Sequence, residues 1–150
     1  MKAVIQRVSS ASVDVDGSVV SSVGAGFLVL VGVEAGDSES DASYLARKIA
    51  ALRIFSDSAG RMNLSLAQVA GEVLAVSQFT LCADTSRGNR PGFERAAPPA
   101  EGERLFGAFV AALARHGIPA KTGVFGAHMK VSLVNDGPVT IVIDSAQRSA

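Results

Sequence analysis

The chain has 150 residues and no net charge, because 14 lysines and arginines balance 14 aspartates and glutamates. This length predicts one domain over residues 1–150, and a hydrophobic share of 48% is enough for a sizeable core. A neutral chain is not expected to bind nucleic acid non-specifically, since such binders are normally basic. The one cysteine, Cys82, excludes an internal disulfide and a cysteine-based zinc site.

The sequence gives no sign of a membrane or of export. Its longest apolar run, Phe27–Val33, is broken by Gly32 and is far shorter than the roughly 18 residues that indicate a membrane span. Residues Met1–Val4 lack the apolar region and cleavage site of a signal peptide. We therefore expect a cytoplasmic protein with no membrane partner.

The first third of the chain predicts strands followed by a helix. Strands are predicted at Val4–Val8, Ala11–Val15, Ser18–Val23 and Phe27–Val33. Asp16-Gly17 is a strong hairpin signal between the second and third of these. Ser38 and Asp41 then resemble a capping box, and leucine and isoleucine recur at helical spacing behind them, which predicts a helix over about 39–52.

The remainder predicts more strands and one further helix. Strands are predicted at Arg53–Ser56, Glu72–Phe79, Lys121–Val124, Met129–Val134 and Val139–Ile143. An amphipathic pattern predicts a helix over about 100–115, and the tail from Ser145 to Ala150 is expected to be frayed. Strands dominate and two helices interrupt them, so we predict an α+β fold with a barrel-like curved sheet and two main helices packed outside it.

Two segments place polar groups directly after apolar strand patterns. They are Ser77–Leu81 and Asn135–Thr140. At the rim of a strand such groups are accessible for chemistry. The second segment contains a Gly-Pro bond, and bonds before proline are the ones that adopt cis at a useful rate. Asn135-Asp136-Gly137 alone would indicate a hairpin turn, but Pro138 weakens that interpretation because proline cannot donate in a following strand.

Catalytic candidates come from the first segment. Thr80 has a hydroxyl, yet the sequence offers no nearby base to activate it, which favours packing or hydrogen bonding over a role as nucleophile. Ser77 and Gln78 can both donate and accept hydrogen bonds. The backbone N–H groups of Phe79 and Thr80 are candidates for an oxyanion hole. Cys82 is interpreted as a half-buried thiol, because the adjacent acidic side chain does not lower its pKa.

These segments, with several others in the same order, resemble the D-aminoacyl-tRNA deacylase family over nearly the whole chain. The similar segments are Ala3–Val8, Gly24–Leu30, Arg53–Asp57, Met62–Leu64, Ser77–Leu81, Thr122–Met129 and Asn135–Thr140. The resemblance implies hydrolysis of the ester between a D-amino acid, or a mischarged glycine, and the terminal adenosine of tRNA. It also implies a proofreading role, a homodimer, no metal and no organic cofactor.

The resemblance also implies roles for particular residues. Gly137 and Pro138 would form a cis element that enters the partner's pocket and rejects L substrates. Arg7 would hold this element, although it could equally be a surface charge on a strand. The segment with Phe125, Ala127 and Met129 would pack around the terminal adenosine, with plain core packing as the alternative. Catalysis would be RNA-assisted, with the ribose 2′-hydroxyl helping to activate water.

Two other functions remain open from the residues alone. One is an ester hydrolase with Thr80 as covalent nucleophile. The other is a nucleic-acid-binding module without catalysis, in which the basic loop containing Arg87, Arg90 and Arg95 contacts the nucleic acid. The same arginines could also belong to a simple solvated loop, and the zero net charge argues against the second function.

Overall fold

The structure is a computed structural model, and it describes residues 1–149. The eight strands are β1 Lys2–Val15, β2 Ser18–Val23, β3 Gly26–Gly32, β4 Phe55–Ser56, β5 Met62–Leu64, β6 Glu72–Ser77, β7 Ala120–Thr122 and β8 Lys130–Asp144. The two α-helices are α1 Glu39–Ala51 and α2 Pro99–Arg115, and short 3₁₀ helices cover Phe79–Cys82 and Ser145–Gln147. Within this part of the chain, neither α-helix is long and apolar enough to cross a membrane.

Six strands form one mixed sheet, in which β1 is the central element. Its strands run in the order β2-β1-β3-β6-β7, and β8 also pairs with β1. The pairs of β1 with β2, β3 and β8 are antiparallel, whereas β3–β6 and β6–β7 are parallel. Three partners along one strand curve the sheet into a nearly closed barrel, which confirms the predicted fold class.

The core lies on both faces of β3, which explains its continuous apolar sequence. Phe27, Val29 and Val31 pack into a cluster with the buried faces of α1 and α2. Leu28 points into a second cluster on the opposite face of the sheet. Successive side chains of a strand alternate between faces, so a strand covered on both sides is apolar throughout.

Local signals placed the turns and helices correctly. Asp16 and Gly17 have φ of 52° and 81°, as a tight hairpin between β1 and β2 requires. The helix α1 begins after Ser38, whose capping box with Asp41 is formed. The helix α2 begins at Pro99, one residue before the predicted start.

Several predicted boundaries are wrong. β1 is one strand where two were predicted, because the exposed pair Ser9-Ser10 interrupts the apolar pattern but not the backbone ladder. β8 likewise joins two predicted strands. β6 ends at Ser77, and the next residues turn into a 3₁₀ helix. The strand predicted from Arg53 covers only Phe55–Ser56.

Part of the predicted frayed tail is structured. Ser145–Gln147 form a 3₁₀ helix, and the Ser145 side chain is buried. The Ser145 N–H donates to the carbonyl oxygen of Met1 at 2.9 Å, which ties this segment to the start of β1. Ala150, the last residue of that prediction, lies outside the described residues.

Candidate active site

A cleft with a volume of about 770 Å³ lies where the end of β6 meets the start of α2 and the segment between β7 and β8. This size is within the range of roughly 300–1,000 Å³ that is usual for small-molecule sites. Its walls are Val33, Val76, Ser77, Gln78, Phe79, Phe93, Glu94, Ala96, Ala97, Pro98, Pro99, Gly102, Phe125, Gly126, Ala127, His128, Met129 and Val131. The cleft therefore unites two segments that the sequence singled out, Ser77–Phe79 and Phe125–Met129.

The end of β6 presents Ser77 and Gln78 to this cleft. The ladder to β3 continues to Gln78, whose N–H donates to the Val31 carbonyl oxygen at 2.8 Å. The chain then leaves the sheet as the 3₁₀ helix Phe79–Cys82. The rim predicted for this segment is thus formed by a strand that stops and turns, with both polar side chains half-buried at the turn.

Thr80 is exposed and is not among the residues that line the cleft. Its hydroxyl oxygen accepts a hydrogen bond from the side-chain nitrogen of Gln78. Within residues 1–149, no hydrogen bond joins the Thr80 hydroxyl to a histidine or carboxylate that could act as its base. This arrangement agrees with the hydrogen-bonding interpretation of Thr80 and gives no support to an activated nucleophile.

The N–H groups of Phe79 and Thr80 stand at the start of the 3₁₀ helix. The first N–H groups of a helix have no intrahelical acceptor, and none of the backbone carbonyls of residues 1–149 accepts from these two. They remain available as donors beside a cleft that Phe79 itself lines. Free N–H groups of this kind are what an oxyanion hole requires.

The opposite sequence segment contributes apolar walls. Phe125, Ala127 and Met129 are half-buried, and all three line the cleft. Their partial burial differs from that of core residues such as Phe109, which is fully buried. His128, between two of them, also lines the cleft and is exposed.

Sequence reasoning missed the contribution of the loop before α2. Phe93 and Glu94 line the cleft, although this Gly- and Pro-rich loop has no periodic pattern that would indicate it. The rings of Phe79 and Phe93 meet edge to face, with centroids 5.1 Å apart and an interplanar angle of 66°. An aromatic residue in an otherwise polar loop was the only available signal.

The segment from Asp136 to Val139 bulges out of the β1–β8 ladder. Gln6 pairs with Thr140 and Val8 with Asn135, so only Arg7 of β1 faces these four residues. Asp136, Gly137 and Pro138 are exposed, and the Gly137-Pro138 peptide bond is cis. None of these three residues lines the cleft of their own chain.

Two side chains fix this bulge. The Arg7 guanidinium donates from Nε to the Asp136 carbonyl oxygen at 2.8 Å and from Nη1 to the Ile54 carbonyl oxygen at 2.6 Å. The Asn135 side chain accepts from the Val139 N–H at 2.7 Å and donates to the Val139 carbonyl oxygen at 3.3 Å. Sequence reasoning assigned no such role to Asn135, although asparagine is a usual residue for bridging a turn in this way.

Cys82 is fully buried rather than half-buried. Burial raises the pKa of its thiol, and the nearby Glu34 carboxylate acts in the same direction. A thiol that stays protonated is a poor nucleophile, so the chemistry of the cleft does not depend on it.

Comparisons with known proteins identify the class to which this fold and site belong. The family model described as D-Tyr-tRNA(Tyr) deacylase matches residues 4–144. The chain therefore belongs to this family and is a hydrolase.

Its relatives agree with that assignment. A D-aminoacyl-tRNA deacylase of Geobacter sulfurreducens is 59% identical over 150 residues, covering 100% of this chain and 99% of the relative. A D-aminoacyl-tRNA deacylase of Ruegeria pomeroyi is 62% identical over 144 residues, covering 96% of this chain and 99% of the relative.

Two solved structures share the fold. One is described as c-Myc DNA Unwinding Element Binding Protein, with a TM-score of 0.91 and 41% identity, covering 96% of this chain and 98% of that one. The other is described as a probable eukaryotic D-amino acid tRNA deacylase, with a TM-score of 0.82, 15% identity, and coverage of 95% and 97%. The second likeness concerns the fold alone.

Proposed function

We propose that this protein hydrolyses the ester bond of D-aminoacyl-tRNA and releases the free D-amino acid and tRNA in the cytoplasm. The observation that carries the proposal is the meeting of Ser77–Phe79 with Phe125–Met129 at one cleft. Polar groups and unpaired backbone donors lie on one wall, and an aromatic ring and a thioether lie on the other. The family match and the names of the relatives support the same activity.

The terminal adenosine occupies the apolar wall in this proposal. The Phe125 ring and the Met129 thioether suit the flat, polarisable face of a purine. The ester carbonyl then lies toward the end of β6. Gln78 and Ser77 orient the aminoacyl group there by hydrogen bonds.

Hydrolysis proceeds by attack of water on the ester carbonyl carbon. The ribose 2′-hydroxyl helps to activate this water, and the N–H groups of Phe79 and Thr80 hold the negative charge that develops on the carbonyl oxygen. One such donor typically contributes about 10²- to 10³-fold in kcat. The protein thus supplies placement and electrostatics. This scheme needs no nucleophilic side chain, which fits the absence of a base beside the Thr80 hydroxyl in residues 1–149. No metal or organic cofactor takes part in this scheme.

Chiral selection comes from the Gly137-Pro138 element of a second copy of the chain. Its backbone faces the substrate α-carbon, so an L side chain collides with it and a D side chain points away. Glycine has no side chain that could collide with this element, so glycyl-tRNA is also hydrolysed. Arg7 and Asn135 support this role because they fix the bulge that carries the element.

A homodimer follows from this arrangement. The element is exposed and does not line the cleft of its own chain. Exposed apolar side chains lie beside it on β8, where Val134 and Val142 are 56% and 68% exposed. Such side chains favour association with another copy. Monomeric protein with full activity and full discrimination would contradict the dimer.

The deciding experiment compares matched D- and L-aminoacyl-tRNAs and glycyl-tRNA as substrates of the purified protein. We expect the D and glycyl esters to be hydrolysed and the L esters to be spared, for large and small side chains alike. Similar rates on D and L substrates would contradict the proposed role of the Gly137-Pro138 element in chiral selection. Gly137→Ala is a poor test, because φ is +146° there and an added Cβ would lie 2.8 Å from Val139 Cγ2.

Nucleic-acid binding without catalysis is the second candidate. It is favoured by the 41% identical structure described as a DNA unwinding element binding protein. The two candidates differ in one measurement: a purified protein that binds nucleic acid and leaves every D-aminoacyl-tRNA intact supports the second and contradicts the first.

A further inference from the structure

A second cleft, about 480 Å³ in volume, adjoins the active-site cleft. It is lined by Asp84, Arg87, Arg90, Gly92, Glu94 and Arg95. Glu94 belongs to the walls of both clefts, and its neighbour Phe93 lines the first. The two clefts are therefore continuous along one loop, and the scheme proposed above gives the second cleft no role.

The arginines of this cleft are free to bind an anion. Arg87, Arg90 and Arg95 are exposed, and within residues 1–149 none of their side chains makes an ion pair. Arg104, in contrast, pairs with two carboxylates. The second cleft holds three guanidinium groups against the carboxylates of Asp84 and Glu94, so its charge is positive in a chain that is neutral as a whole.

The backbone holds this loop in shape. Asp84 and Gly92 exchange two backbone hydrogen bonds, of 2.8 and 2.9 Å. The Arg95 carbonyl oxygen accepts from the Ala35 N–H at 2.8 Å, and the Asp84 side chain accepts from the Ser86 N–H at 2.9 Å. A loop fixed at its base loses less conformational freedom when a ligand binds, which favours binding.

Two aromatic rings line the active-site cleft beside the loop that carries the arginines. Phe79 and Phe93 are 56% and 36% exposed, and their edge-to-face contact keeps them in place. Exposed rings next to a basic groove are typical of sites for single-stranded nucleic acid, where bases stack on the rings and arginines bind the phosphates. Guanidinium groups suit phosphates because they form paired, charge-assisted hydrogen bonds.

We propose that Arg87, Arg90 and Arg95 bind the backbone phosphates of the unpaired nucleotides that precede the terminal adenosine of tRNA. Phe93 stacks on the base of one of these nucleotides. The direction of the strand rests on the proposed function, which puts the terminal adenosine in the neighbouring cleft. The binding is independent of sequence, since phosphates and ring faces are common to all nucleotides.

Direct binding tests the proposal without reference to catalysis. The probe is a fluorescein-labelled single-stranded RNA that ends in cytidine, cytidine and adenosine, and its anisotropy is followed over a range of salt concentrations. Affinity decreases as salt rises, and the magnitude of the slope of log affinity against log salt should be smaller by about 0.7 for each phosphate that a variant no longer neutralises. Arg87→Ala with Arg90→Ala, and Arg95→Ala separately, should lower the slope. Arg115→Ala, an exposed arginine in the last turn of α2, is the matched control and should not.

The aromatic part of the proposal has its own variants. Phe93→Ala should weaken RNA binding about tenfold or more with an unchanged salt slope, and Phe93→Tyr should keep the affinity because the ring remains. If the arginine variants keep the wild-type salt slope, the proposed contacts between these arginines and the phosphates are wrong. Equal weakening by Phe93→Ala and Phe93→Tyr overturns the stacking.

Catalysis supplies the second readout. The substrates are D-aminoacyl-tRNA and D-aminoacyl-adenosine, an ester of the same terminal nucleoside without any phosphate. Each arginine replaced should lower kcat/KM on the tRNA about tenfold, and the loss should be confined to that phosphate-bearing substrate. Equal losses on both substrates overturn the proposal. Wild-type protein that hydrolyses neither substrate contradicts the proposed function, and the RNA-binding measurement then still decides on the phosphate sites.

Discussion

Replacement of Arg7 by alanine tests whether the bulge between Asp136 and Val139 must be held in place. The change removes two charge-assisted hydrogen bonds, to the carbonyl oxygens of Asp136 and Ile54. Hydrogen bonds of this kind are worth about 1.5–3 kcal/mol each, and the lower value applies because Arg7 is only half-buried. The bulge therefore loses about 3 kcal/mol of restraint, which corresponds to a factor of about 10² in the population of its present conformation.

Two measurements follow from this estimate. The free energy of unfolding of Arg7→Ala should fall by about 2–3 kcal/mol in urea denaturation. The kcat/KM for D-aminoacyl-tRNA should fall by about 10², and the ratio of D to L rates should fall with it. Arg7→Lys should lie between wild type and alanine, because an ammonium group keeps the charge but lacks the planar fork that reaches both carbonyls.

Arg115→Ala is the control, since that side chain is exposed at the end of α2. It should leave the rates and the D to L ratio unchanged. A folded Arg7→Ala protein that keeps both the wild-type rate on D substrates and the wild-type ratio would refute the reasoning. So would a loss of stability without any change in discrimination.

Four further outcomes are expected. Thr80→Ala should keep most of the deacylase activity, because its hydroxyl only accepts a hydrogen bond; a loss of about 10³-fold in kcat with intact binding would indicate a direct catalytic role. Gly26→Ala should destabilise the protein by at least about 3 kcal/mol, since the new Cβ would lie 1.8 Å from a carbonyl oxygen of β6. Gly107 lies in α2, and a Cβ added there would meet nothing within 4 Å, so Gly107→Ala should stabilise the protein by about 0.5–1 kcal/mol. In thermal denaturation, a higher midpoint for Gly26→Ala than for Gly107→Ala would contradict both glycine predictions. Hydrogen bonds to the Asp57 carboxylate, led by one from the backbone of Arg61, lower its pKa in the folded state. Its contribution to stability is fully present above the ordinary carboxyl pKa of about 3.9 and is lost as the pH falls through the lower folded value, so Asp57→Asn should flatten the acid limb of stability against pH.

Features fixed by neighbouring residues were predictable from the sequence. The hairpin at Asp16-Gly17 and the start of α1 after Ser38 depend on backbone preferences and on side chains three residues apart. Strand limits were harder to predict. The backbone ladder of β1 continues past Ser9-Ser10 because β8 supplies hydrogen-bond partners from more than 120 residues away, and no local pattern contains that information.

The candidate site shows the same division. The segment around Gln78 was found because polar groups follow its apolar strand pattern, whereas the segment around Phe125 was found through the family resemblance alone. The two segments meet at one cleft. Phe93 and Asn135 were missed. The contribution of Phe93 depends on how an irregular loop packs against Phe79. That of Asn135 depends on a bulge whose size is set by the pairing of β1 with β8.

The position of β8 has a consequence for the order in which the protein folds. β1 pairs with β8 from Lys2 with Asp144 to Asp14 with Lys130, so the ladder joins residues 116–142 positions apart along the chain. Contacts this distant form slowly, because the closure of a long loop must precede them. During synthesis, β1 can find β2 and β3 early, but its remaining edge stays unpaired until residues 130–144 have emerged. An unpaired strand edge readily joins another chain. The nascent protein therefore passes through a stage at which its longest early strand is open to aggregation, and the last strand to be made closes it.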